Sequence, residues 1–137
     1  MTRLYLAVAA GGAIGAVARY GVGYAWPTAE GRFPWATLAI NIAGSLAIGV
    51  LMVVIAELAT GRVYLRPFVG VGILGGFTTF SAFAIETRGL LEEHPTAALG
   101  YFLATPVLAV TAAALGAALM TSALRARASF AAQRREP

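Results

Sequence analysis

Apolar residues run almost without interruption through four stretches of the chain: Leu4–Ala25, Trp35–Leu58, Phe68–Leu90 and Ala97–Ser122. Each is long enough to cross a bilayer as a helix, which takes roughly 20 mostly apolar residues. None carries the polar outer face that a helix on a water-soluble domain would show. The pattern predicts an all-α membrane protein. Residues 1–124 form one domain of four transmembrane helices, and residues 125–137 a basic, frayed tail. The connections are short and punctuated by Pro27, Gly31, Pro34, Gly61, Pro67 and Pro95, which are turn signals. They leave no room for a separate soluble domain. The first stretch is not a cleavable leader, because only Arg3 precedes an apolar run longer than a leader's core.

One passage breaks the pattern. Gly75-Gly76-Phe77-Thr78-Thr79-Phe80-Ser81 lies in the middle of the third stretch, near the level of the bilayer mid-plane. Paired glycines followed by β-branched threonines make a poor helix interior. Inside hydrocarbon every backbone N–H and C=O still needs a partner. An interruption here is tolerable only against protein, water or an ion. Carbonyl oxygens released together at such a point suit a cation such as sodium. Gly75 and Thr78 are the expected donors, and the hydroxyls of Thr78, Thr79 and Ser81 can satisfy freed groups.

Beyond the break, Phe80, Phe83 and Glu86 follow at three-residue steps on one helical face, continued by Thr87. The aromatic stripe is either packing or a lining that offers positively polarised ring edges to an anion. Glu86 is either a functional intramembrane carboxylate or an interfacial residue paired with Arg88 or with an arginine of another subunit.

Composition narrows the chemistry. The chain is 59% hydrophobic and only 12% charged, without cysteine and with one histidine, His94. Thiol chemistry, a disulfide framework and a histidine-rich metal site are excluded. Basic residues outnumber acidic ones 10 to 6, and all are arginine. They sit at the ends of the apolar stretches, which fits headgroup contact and topology and gives no nucleic-acid partner. No nucleophile–base set is present, so the chain is not expected to be an enzyme.

In the first stretch, Gly11, Gly15, Arg19 and Gly23 fall four apart and share a face. The glycines permit close helix approach. Arg19 either snorkels to the headgroups or serves a polar vestibule or a helix end. Asn41, on the face of Gly44, Ser45 and Ile48, is the one carboxamide in the four stretches. It either makes an interhelical hydrogen bond or presents amide donors to an anion. In the fourth stretch, Tyr101 and Thr105 lie one turn apart. Tyr101 is either an interfacial belt residue or a pore-facing hydroxyl. Pro106 frees the carbonyl of Phe102 and can kink the helix. Trp26 and Trp35 flank the first loop as interfacial anchors.

Three runs carry a resemblance: Gly11–Arg19, Thr37–Gly49 (TLAINIAGSLAIG) and above all Gly75–Glu86 (GGFTTFSAFAIE). On these the chain resembles the CrcB/Fluc family of bacterial fluoride channels, nearly end to end. The resemblance implies a four-helix subunit of a multi-pass protein in the bacterial inner membrane, paired as an inverted, dual-topology homodimer. It implies passive export of fluoride through two antiparallel pores. It further implies a central structural sodium ion held by the Gly75 and Thr78 carbonyls of both subunits. Asn41, Phe80, Ser81, Phe83, Glu86, Tyr101 and Thr105 fall on pore positions, and Arg19 on the arginine near the end of the first helix.

The chain departs from the family pattern in two places. Some relatives carry further hydroxyls on the last helix where this chain has Ala109 and Ala113, which shortens a polar track there. The arginines also divide seven (Arg3, Arg62, Arg66, Arg125, Arg127, Arg134, Arg135) against three (Arg19, Arg32, Arg88). That bias predicts both termini on the cytoplasmic side, whereas dual topology predicts near balance. A proton-coupled multidrug exporter of similar size would need a carboxylate in the first helix, which holds only Arg19. A non-transporting assembly subunit would show no ion flux.

Overall fold

The computed structural model describes residues 2–29, 31–58 and 63–134, apart from the side chain of residue 132. Three of the arginine and loop positions named above, Gly61, Arg62 and Arg135, lie outside the described residues. All the regular structure described is helical, and four segments are long and apolar enough to cross a membrane. α1 is Thr2–Ala25 and α2 is Trp35–Leu58. The third span has three parts: a π-helix at Arg66–Leu74, a single turn, α3 (Gly75–Phe77), and α4 (Ser81–Glu93). α5, Pro95–Gln133, is the fourth.

The first loop turns at Gly31, whose φ of +69° is open to a residue without a Cβ. Pro34 is fully buried, and its carbonyl accepts the N–H of Leu38. It therefore opens α2 at a point where its own missing N–H costs nothing.

The widened start of the third span was not foreseen. Its winding leaves the Gly75 N–H bonded back to the Gly70 carbonyl, five residues earlier. Single π segments of this kind occur where a helix accommodates something other than its own repeat. Here α1 lies against it at backbone distance. A methyl placed on Gly72 would lie 2.8 Å from the Cα of Gly11, and one on Gly76 would lie 2.5 Å from the Gly12 carbonyl oxygen. Gly15 abuts the backbone of Ile73 and Phe77 in return. The Gly11–Gly15 pair on α1 thus faces a second four-residue pair, Gly72 and Gly76. Gly23 does not join this face and has open space around it.

α2 and α5 form the other close pair. Gly49 of α2 abuts Ala113 and Ala117, and Gly116 of α5 abuts Leu46 and Val50. Leu38 of α2 clusters with Ala98 and Tyr101 of α5, and Gly49, three turns on, meets Ala113 and Ala117, so the two helices run parallel. The best-buried cluster, Leu38, Phe83, Leu90, Ala98 and Tyr101, lies where α2, α4 and α5 meet beside the first loop.

Two expectations about edges need correction. The third connection is shorter than the gap between the apolar stretches ending at Leu90 and starting at Ala97, because the helix continues to Glu93 and only His94 separates it from α5. The basic tail is not frayed at residue 125. α5 continues through it to Gln133, since the Ala- and Arg-rich stretch favours a helix and nothing terminates it. Pro106 sits inside this continuous helix.

Much of the apolar surface is uncovered in a single chain. Tyr5, Val17, Tyr20, Tyr24, Phe80 and Ile85 are all exposed. Helices this apolar are covered by lipid or by another copy.

Candidate functional site

The interruption of the third span falls at Thr78–Phe80. Thr78 is extended, with φ −73° and ψ 156°. In an unbroken helix the Thr79 N–H would bond the carbonyl of Gly75. It donates instead to Asn41 Oδ1 at 2.9 Å, while Asn41 Nδ2 donates to the Thr79 carbonyl at 3.0 Å. Asn41 is buried, and its carboxamide closes a two-bond clamp on the N–H and C=O of one residue of the break. The Thr78 N–H and hydroxyl both donate to the Leu74 carbonyl, at 2.9 Å each. The Gly76 carbonyl accepts from Arg19 Nε at 3.1 Å. The Thr79 hydroxyl accepts from the Ala82 N–H at 3.1 Å and so caps the start of α4. Gly44 leaves room for this arrangement, because a methyl there would collide with the Thr78 side chain.

Arg19 therefore acts at a helix end. Its guanidinium reaches the break, and it also lines a vestibule of about 890 Å³ together with Tyr24, Thr37, Thr79 and Glu86. Asn41 makes an interhelical bond, yet its amide keeps a second N–H, because only one is committed to Thr79.

A second hollow, about 240 Å³, opens beside the clamp. Asn41, Ser45, Phe80, Phe83 and Thr105 stand around it. Phe83 is 4% exposed and Phe80 is 79% exposed. Their ring centroids are 5.6 Å apart and the planes are inclined at 55°. Thus one wall of the hollow is packed into the subunit, and the other stands at its surface. Ser81 lies outside the hollow, exposed, with its hydroxyl 3.3 Å from that of Thr79.

Glu86 does not pair with Arg88, which reaches Glu92 at 3.9 Å on the exposed face of α4. Its carboxylate accepts two hydroxyl protons, from Thr37 at 2.7 Å and from Tyr101 at 3.0 Å. Both donors are buried. Tyr101 is fully enclosed, so it is no belt residue. Its ring packs 5.2 Å from that of Phe83 and meets Phe33 edge-on at 5.3 Å. Thr105 returns its hydroxyl proton to the Tyr101 carbonyl at 2.8 Å. The hydroxyl protons of Thr37, Tyr101 and Thr105 are all committed within the protein.

Thr37, which nothing in its sequence context marks out, is a partner of Glu86. It stands near the start of a membrane span, where a threonine carries no signal of its own. Only the approach of α2 to α4 shows its partner.

The Gly75 carbonyl has lost its helical donor, and Gly75 is exposed on the same side as the break. Among the described residues no group of histidines or carboxylates could hold a metal ion. The oxygen chemistry at the break is that of backbone carbonyls, which suits a hard monovalent cation.

Comparison with known proteins adds an independent line. Residues 6–117 match the family described as CrcB-like protein, Camphor Resistance (CrcB). The chain is similar to Fluoride-specific ion channel FluC 2 of Nocardia farcinica, 47% identical over 82% of this chain and 81% of that one. It is 49% identical to Fluoride-specific ion channel FluC 1 of Streptomyces coelicolor, over 80% of this chain and 72% of that one. Fluoride-specific ion channel FluC of Paracoccus denitrificans is 47% identical over 85% of this chain and 93% of its own.

Proposed function

We propose, for a chain that belongs to the CrcB family, that it is a passive fluoride channel of the bacterial inner membrane and works as an antiparallel homodimer. It is a channel rather than an enzyme. One observation carries the reading of the site: the interrupted third span opens a hollow walled by Asn41, Phe80, Phe83 and Thr105 in a membrane helix bundle.

Fluoride is small and strongly hydrated, so a path must replace its water with donors. Asn41, whose amide keeps a second N–H, and Phe80 and Phe83, whose ring edges are positively polarised, line the hollow and can do so. None of these is a fixed positive charge that would trap the ion. Tyr101 and Thr105 take a different part from that expected, since their protons are held elsewhere. They are positioning residues, which hold Glu86 and the wall of Phe83. Arg19 contributes positive potential at the vestibule.

The exposed ring of Phe80 is half of a wall that a second copy would complete. Sodium at the centre of the pair fits the freed Gly75 carbonyl and the extended Thr78. When bound there, it would satisfy those oxygens and fix the break.

The test is efflux from sodium-loaded liposomes containing the purified chain, followed with fluoride and chloride electrodes. Fluoride release without chloride release is expected. Release of both at equal rates, or of neither from a folded dimer, overturns the reading. Replacing sodium by a large organic cation should lower the temperature at which the dimer dissociates, and an unchanged temperature removes sodium from the proposal.

A further inference from the structure

Four hydroxyl residues line the hollow beside the clamp: Ser45, Thr78, Thr79 and Thr105. Three of them are engaged. Thr78 donates to the Leu74 carbonyl at 2.9 Å, and Thr105 to the Tyr101 carbonyl at 2.8 Å. Thr79 accepts the Ala82 N–H at 3.1 Å and lies 3.3 Å from the Ser81 hydroxyl. Ser45 is the exception. A serine or threonine inside a helix commonly returns its proton to the carbonyl four residues back. Thr87 and Thr111 do so here, at 2.7 and 2.8 Å. Among the described residues the Ser45 hydroxyl has no hydrogen-bond partner, and no fully buried side-chain oxygen is left in that condition. The half-buried Ser45 therefore keeps its oxygen in contact with open space, and the space it lines is the hollow.

The neighbours of α2 fix its level in the bundle. Leu38 clusters with Ala98 and Tyr101 of α5, and Gly49 meets Ala113 and Ala117. Between these two contacts Ser45 stands level with about Ala109, which lines the same hollow with a bare methyl. Asn41 is one turn before Ser45, about 6 Å along the axis. Two hydrogen bonds of about 2.9 Å laid end to end cover that distance. Beyond Ser45 the α2 wall is Ile48, which offers an ion nothing polar.

We propose that Ser45 is a further donor on the fluoride path, which takes the ion from the amide of Asn41 and carries it past the ring of Phe83. At this level α2 supplies the hydrogen bond that Ala109 of α5 does not. No carbonyl holds the Ser45 proton, so turning it to an anion breaks no internal bond. The same turn by Thr105 would first break its bond to Tyr101. This rests on the fluoride reading of the same hollow.

The test compares Ser45→Ala, Ser45→Val and Ser45→Thr with the parent chain, as initial fluoride efflux from sodium-loaded liposomes. Ser45→Ala should lose about tenfold, the lower end of what a hydrogen bond to a charged group is worth. Its dimer should melt at the parent's temperature, because no internal hydrogen bond is removed. Valine and threonine have nearly the same shape and only threonine keeps a hydroxyl, so Ser45→Thr should conduct at least about fivefold faster than Ser45→Val. Efflux from Ser45→Ala within about twofold of the parent, or equal efflux from the valine and threonine variants, overturns the proposal. A loss of efflux matched by a lower melting temperature in Ser45→Ala assigns the residue to packing and overturns it too. A parent chain that releases no fluoride refutes the fluoride reading itself, whereas a conducting parent beside an equally fast Ser45→Ala refutes only the role of Ser45.

Discussion

Replacing Asn41 with leucine tests the clamp most directly, because the side chains are close in size and only the polar atoms are lost. The substitution removes both bonds to Thr79, at 2.9 and 3.0 Å. Hydrogen bonds between membrane helices are worth about 0.6–2 kcal/mol each. Leaving a buried N–H or C=O without a partner costs about 1–3 kcal/mol. These figures overlap rather than add, and together they give about 3 kcal/mol against the broken conformation. Since 1.4 kcal/mol is a factor of ten, the break loses about a hundredfold in population relative to competing backbone arrangements. The same change deletes the uncommitted N–H of a residue that lines the hollow. Initial fluoride efflux from sodium-loaded liposomes should fall at least about tenfold, with the protein still helical by circular dichroism. The dimer should also melt at a lower temperature. Efflux within about twofold of the parent, from a folded protein, would refute the assignment of Asn41 to both clamp and path. Asn41→Asp impairs both functions in another way. It keeps an acceptor for the Thr79 N–H but sets a carboxylate oxygen against the Thr79 carbonyl and removes every donor, so it too should lose conduction.

Other outcomes follow from the same geometry. Phe80→Ile removes an exposed ring and so should leave monomer stability within about 0.5 kcal/mol, while fluoride efflux is abolished or sharply reduced with the dimer intact by gel filtration; unchanged efflux takes Phe80 out of the path. Gly76→Ala places a methyl 2.5 Å from the Gly12 carbonyl oxygen, where backbone cannot yield, and should destabilise by about 1–3 kcal/mol; Gly23→Ala, in open space, should be neutral in the same thermal-melt assay. Tyr101→Phe keeps the ring contacts but removes one donor to the Glu86 carboxylate, a bond to a charged acceptor worth about 1.5–3 kcal/mol. It should lower thermal stability more than it lowers efflux relative to Phe80→Ile, and adding Thr37→Val should deepen both losses.

The four spans were legible in the chain because a bilayer imposes one simple demand, an unbroken apolar run of fixed length, on every crossing helix. The break at Gly75–Ser81 was legible for a local reason as well. Paired glycines and paired threonines disfavour a helix wherever they stand. Asn41, Glu86 and Tyr101 stood out because polar groups are costly in hydrocarbon and must have partners. Who those partners are is a matter of distance between helices, which periodicity does not contain. Asn41 meets Thr79 across 38 residues, and Thr37 meets Glu86 across 49. Thr37 looked ordinary until α2 and α4 were set side by side. The facing glycine pairs of α1 and the third span, the π-winding beneath them and the parallel run of α2 beside α5 are likewise products of packing. The continuation of α5 to Gln133 depends on neither packing nor lipid. It follows from an alanine- and arginine-rich stretch with nothing to stop it, a signal the chain carried but its polar composition obscured.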